Sequence, residues 1–247
     1  MFAISGLLPR DVGAYHTDAF ERLGEIYKSE KPKSKLDTMI DISNILSNYC
    51  GEGNHECVAN AHKATLQQFH AAEQKNTEIS YPQNFDETAK KSMELILAIV
   101  NDVNENNYDE TIGSLSQIRE DLENMEDKQG HLSGAIATAS VAIESTALWH
   151  SVLTNPEHNL HETVVGTTGN VRDGDRRTQL FVVDSAKIIE ADVLSAVEAF
   201  VTTDPKNLFD IVNFDGPKKI YEEMVLAAVG ASAAAAVSTT ESDFIAP

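Results

Sequence analysis

A chain of 247 residues, 42% of them hydrophobic, is long enough to bury a substantial core, which excludes disorder as its dominant state. Its 39 acidic residues outnumber 19 lysines and arginines and leave a formal net charge of -20. No Lys/Arg-rich run compensates, so nucleic acid and anionic membranes are poor partners.

The N-terminal run "MFAISGLLPRDVGAYH" lacks the basic n-region and the apolar length of a secretory leader. Either the chain stays where it is made or a leader precedes this numbering. A short helix is expected to start at Thr17 and Asp18, to carry Phe20, Leu23 and Tyr27, and to stop before Pro32, because the residue preceding a proline avoids the α conformation. Met39, Ile42, Leu46 and Tyr49 step by three, four and three and predict a helix from about Ser34 to Tyr49. Val58, Ala61, Thr65, Phe69 and Ala72 predict its antiparallel mate across the loop "CGEGNHE".

That hairpin neck holds both cysteines. Cys50, His55, Cys57 and His62 include the ligand types of a zinc site, but cysteines seven positions apart, with one histidine between them, match its usual spacing poorly. Antiparallel helix ends approach closely enough for a disulfide, whose Cα atoms stand ~5.5 Å apart. A Cys50–Cys57 disulfide is therefore favoured over reduced thiols, and both over metal. The localisation follows the redox state: exported or extracellular with the bond, cytoplasmic without it.

Beyond "ISYPQNFDE", the run "MELILAIV" is apolar nearly all round and is expected to be buried. "NENNYD", residues 104 to 109, interrupts it with cap and turn residues before Ile112, Leu115, Ile118, Leu122 and Met125 resume the period, giving two helices or one kinked helix. A helix from about Leu132 to Leu153 is rich in Ala, Ser, Gly and Thr, which lets neighbouring backbones approach and suits the centre of a bundle. Glu144 within it is expected at the helix edge. At residues 132 to 153 the chain is too polar for a bilayer span, and "VLAAVGASAAAAV" is too short for the roughly 20 apolar residues required, so no membrane span is expected.

Residues 157 to 178 break the helical texture as an irregular loop or short hairpin. At its start, His158 and His161 lie three apart between Glu157 and Glu162. On a helix this spacing would put both imidazoles on one face beside a carboxylate, as a metal site needs; a polar surface turn is the favoured reading. Asp173 and Asp175 fall short of a calcium ligand set. Val182, Ala186, Ile189, Val193, Ala196 and Phe200 then repeat at heptad spacing, over too short a run for a coiled coil, and predict a core-facing helix. Pro217 is placed to open a last helix through the alanines.

The expected fold is all-α: a bundle of about six to seven helices, in one domain over 1–247 or divided into a 1–80 hairpin unit and an 81–247 bundle. Dinucleotide, phosphate-loop and serine-elbow motifs are absent, and Glu-x-x-His occurs without the pairing a di-iron bundle requires. No cofactor and no enzymatic activity are favoured. Small-residue helix faces favour a structural or interaction protein acting through helix surfaces, self-associated or bound to a protein partner. The alternatives are a metal-binding protein or metal-dependent enzyme using His158 and His161, and an exported bundle that takes a small ligand.

Overall fold

The computed structural model describes residues 8–29, 35–48, 55, 58, 59, 62, 63, 79–127, 130–161, 185–202 and 216–238. Among them the chain is all-α, without a strand. After a 3-10 turn at Pro9–Asp11, the α-helices are α1 (Val12–Ser29), α2 (Lys35–Ser47), α3 (Glu87–Asn101), α4 (Tyr108–Glu123), α5 (His131–Thr154), α6 (Ser185–Thr202) and α7 (Gly216–Ser238). No helix among the described residues is long and apolar enough to cross a membrane.

Four helices close a ring of contacts in which α1 packs on α5, α5 on α6, α6 on α7, and α7 back on α1. Outside the ring, α3 lies across α5 and α6, α2 lies across α1 and α7, and α4 packs on α5. The buried side chains of all seven helices join in one core. Trp149, Phe200, Met93, Ile188 and Met224 are among its largest members. Phe20 meets Trp149 edge-on with ring centroids 5.8 Å apart, a favoured aromatic geometry.

The small-residue helix α5 takes the central place. Its neighbours come so close that a Cβ on Gly13 of α1 would stand 2.2 Å from the Ser140 carbonyl oxygen, and one on Gly134 would stand 2.3 Å from the Phe200 ring. The hydroxyls this helix buries are all paired. Thr138 and Thr146 donate to the carbonyls of Gly134 and Ala142 one turn back. Ser140 donates to the Arg10 carbonyl at 2.6 Å and accepts the Gly13 amide at 3.2 Å, while Ser145 reaches another helix. Buried polar groups are tolerated when each finds a partner in this way.

Three boundaries depart from expectation for local reasons. Helix α1 begins at Val12 because Pro9, with its backbone dihedral preset, opens a turn that feeds directly into it; Thr17 and Asp18 lie inside the helix, where Asp18 pairs with Arg22 at 3.0 Å. The segment from 93 to 100 is not buried all round. Met93, Ile96 and Val100 face the core, but Leu95 is 50% exposed, since α3 covers the ring from outside and has only one inner face. Finally, α3 and α4 are separate helices. Between them the Asn107 side-chain Nδ2 donates to the Asp102 backbone carbonyl at 2.9 Å, and the Asn104 backbone N–H donates to Asn107 Oδ1 at 2.7 Å, side-chain bonds that compete with the helix. Of the predicted second hairpin helix, residues 58, 59, 62 and 63 are described and are helical, and so is His55, which the sequence pattern places in the loop before it.

Glycine substitutions on α1 and α4 should have opposite signs. In a helix, Gly→Ala normally stabilises by about 1 kcal/mol. Gly113 on α4 has nothing within 4 Å of its would-be Cβ, so Gly113→Ala should raise Tm by about 2–4 °C. For Gly13→Ala the contact with backbone of α5 outweighs propensity, and overpacking of this kind costs about 1–3 kcal/mol. Thermal unfolding followed by circular dichroism should show Tm rising for the first variant and falling for the second.

Candidate functional site

At the centre of the ring, four polar side chains from four helices meet with no exposure to solvent. His16 comes from α1, Ser145 from α5, Asp192 from α6 and Ser232 from α7, and all four are 0% exposed. Each occupies one place on an otherwise apolar stripe: His16 is one turn from Val12 and Phe20, Asp192 one turn from Ile188 and Ala196, Ser145 one turn from Val141 and Trp149. Sequence reading passes over such residues because nothing along the chain marks that the four stripes converge.

Asp192 is the hub. Ser145 Oγ–H donates to Asp192 Oδ2 at 2.5 Å, and Ser232 Oγ–H donates to Asp192 Oδ1. His16 Nε2 stands 3.2 Å from Asp192 Oδ2 and 3.2 Å from Ser232 Oγ. Because the Ser232 proton already points at Asp192, its oxygen has only lone pairs to offer the ring. Nε2 therefore faces two acceptors and carries a proton, and in the neutral form of the ring Nδ1 is the bare nitrogen. Nδ1 has no partner among the described residues, and an unpaired acceptor is less costly than an unpaired donor.

Serine, histidine and aspartate together invite comparison with a nucleophilic triad, and the wiring argues against one. A triad needs the serine proton aimed at a bare Nε2 and the carboxyl on the opposite nitrogen. Here serine and carboxyl share Nε2, that nitrogen carries its own proton, and water has no access. The arrangement holds helices rather than activating a hydroxyl.

His158 lies in a turn over residues 156–160 and His161 is helical directly after it, so the two do not share a helix. His161 Nδ1–H donates to the Val152 carbonyl at 2.7 Å, whereas His158 Nδ1 accepts the Leu160 amide at 3.2 Å. In its neutral form His158 consequently keeps its proton on Nε2, so the two rings present different edges. Burial lowers the His158 pKa, with His161 adding to the effect and Glu21 opposing it. The turn is anchored by Leu160, which is buried, and by an Asn159 amide bond to Glu25. No group of three or more His, Cys, Asp or Glu able to hold a metal occurs among the described residues. Glu157 is exposed; Glu162, Asp173 and Asp175 lie outside the described residues, as do Cys50 and Cys57. His62 bonds the Ser43 hydroxyl of α2, and Glu144 sits half-buried on α5 near Gly13.

No family model matches this chain, and no curated protein and no solved structure matches it either.

A second buried histidine closes the start of α5. The Asp86 amide donates to His131 Nδ1 at 2.9 Å, and the Phe85 ring stacks on the imidazole at 4.5 Å. Burial lowers the His131 pKa from 6.5, with Asp127 and Asp86 opposing. The folded ring thus binds its proton less readily than the unfolded one, so stability is fully present above 6.5 and declines as pH falls through and below it. Urea unfolding at pH 7 and pH 5 should show a larger loss for the wild type than for His131→Gln, which has no such proton to take up.

Proposed function

We propose that this is an interaction protein working through its helix surfaces, and that the outer face of α4 and its flanking loops receives a basic protein partner. Charge supports the reading. Residues 102 to 127 contain nine acidic side chains, all exposed, and one basic side chain, Arg119. Asp127 has a local use, since it accepts the Ser133 amide and hydroxyl, both at 2.8 Å.

The placement on α4 matters more than the number. Asp109 and Glu110 lie in the first turn, where the helix dipole favours negative charge. Glu120, Asp121 and Glu123 crowd the last turn, which has no basic residue, and there the dipole opposes them. This arrangement costs the free helix stability and is relieved by a cation. Meanwhile α4 is held firmly on its inner side: Leu115 and Leu122 are buried, Tyr108 stacks on His150 at 4.5 Å, and its hydroxyl bonds Ser185 at 2.7 Å. Half-exposed Met125, next to Glu126 in the chain, supplies apolar contact beside the charge.

Two copies of so acidic a face repel one another, which makes a different, basic chain a better occupant than a second copy. The triple variant Glu120→Gln, Asp121→Asn, Glu123→Gln tests this. Its Tm should rise by roughly 2–4 °C as the dipole conflict disappears. In gel filtration of native extract, the wild type should run in an assembly that dissociates near 1 M salt, where screening acts within about 3 Å, and the variant should run alone. A wild-type chain that is strictly monomeric in extract, or an assembly indifferent to both salt and the substitutions, overturns the reading.

A further inference from the structure

We propose that residues 79–86 form an acid-released strap, held closed by the bare Nδ1 of His131 and opened, with the helices still in place, when that nitrogen takes a proton. The strap is not helical, and its backbone turns once, where the Phe85 N–H donates to the Pro82 carbonyl at 3.0 Å. It lies on the core through half-buried Ile79, Tyr81 and Phe85. Phe85 is the centre of that contact. Its ring stacks on His131 at 4.5 Å, meets Phe200 of α6 edge-on at 6.2 Å, and lies 5.2 Å from the Tyr81 ring. The polar bond that joins the strap to α5 runs from the Asp86 amide to His131 Nδ1, at 2.9 Å.

That bond requires a neutral ring, because a protonated Nδ1 would aim its hydrogen at the amide hydrogen of Asp86. The surroundings oppose the charge as well. His131 is the first residue of α5, where the helix dipole is positive. The carboxylates that face the ring, Asp86 and Asp127, are already engaged: Asp86 accepts the Ala89 amide at 2.9 Å as the N-cap of α3, and Asp127 accepts the Ser133 amide and hydroxyl at 2.8 Å. From α7, Tyr221 bonds Ser133, and burial pushes its hydroxyl up to about 12, so it brings no charge. From α3, Lys90 stands 5.5 Å over the Tyr81 ring, and α6 presents the uncharged Phe200 ring to Phe85. Opening also returns to water the Tyr81 hydroxyl, which is buried without a partner among the described residues. Helix α3 stays in place, since Ala89, Met93, Ile96 and Val100 are each 0% exposed. The strap therefore swings at its junction with α3 and uncovers Phe200 and the first turn of α5.

Hydrogen exchange of the full chain, followed by NMR from pH 7 to pH 5 and corrected for the intrinsic pH dependence of exchange, tests this. Protection of the Phe85 and Asp86 amides should fall by about tenfold per pH unit below 6.5, as one proton is taken up on opening. Amides in the middle of α3, α5 and α6 should keep theirs, which separates release of the strap from global loss of stability. A dye that fluoresces on apolar surfaces should bind the wild type at pH 5 and not at pH 7. His131→Gln, whose side-chain oxygen accepts the Asp86 amide and takes no proton, should stay closed at both, and Phe85→Ala should bind the dye at both. Asp86 protection indifferent to pH, an acid loss shared by all the helices, no dye bound by the wild type at pH 5, or equal opening in His131→Gln overturns the proposal. Where His131→Gln does not fold, the wild-type exchange pattern decides alone.

Discussion

One carboxyl group, that of Asp192, accepts hydrogen bonds from side chains on the other three helices of the central ring. A carboxyl withdrawn from water is costly unless its oxygens are matched by donors, and this one is matched by Ser145, Ser232 and His16. The matching works only when α1, α5, α6 and α7 stand in one particular relation. Apolar packing supplies the driving force for these helices to assemble, and the polar centre restricts which assembly satisfies every group.

The small residues of α5 make this centre possible. With Gly13 and Gly134 permitting close approach on two sides, short side chains such as Ser145 span the gap between helix axes and reach Asp192. Longer spacing would require longer polar side chains, with more rotamer freedom to lose. Close packing and buried hydroxyls are therefore two consequences of one composition. The tetrad's polar atoms are directed mostly at one another, whereas the acidic side chains of α4 stand on its exposed surface.

How much of this could be read beforehand depended on the range of the interaction. The helix over α5 was legible because its alanines, serines and glycines are contiguous, and their packing consequence is local to that helix. The stripe through Ile189, Val193, Ala196 and Phe200 was legible for the same reason, and it is buried as the spacing implies. Helix α1 was placed too late because its start is governed by Pro9, upstream of the apolar period that signalled it. Leu95 was misplaced because an apolar run does not disclose how many faces of its helix will be covered. The tetrad was not legible, since His16 and Ser232 lie 216 positions apart and each alone resembles an ordinary polar residue in a helix.

The sequence by itself determined that helices form, where most of them run, that none described is a membrane span, and that the surface is strongly acidic. These follow from composition and from periodicities within single segments, which act through neighbours in the chain. Only the tertiary structure decided which helix is central, which faces remain bare, and that one histidine, one aspartate and two serines share a solvent-free point. Those outcomes depend on the relative placement of whole helices, and the energy that selects it arises between residues with no sequence relation to one another.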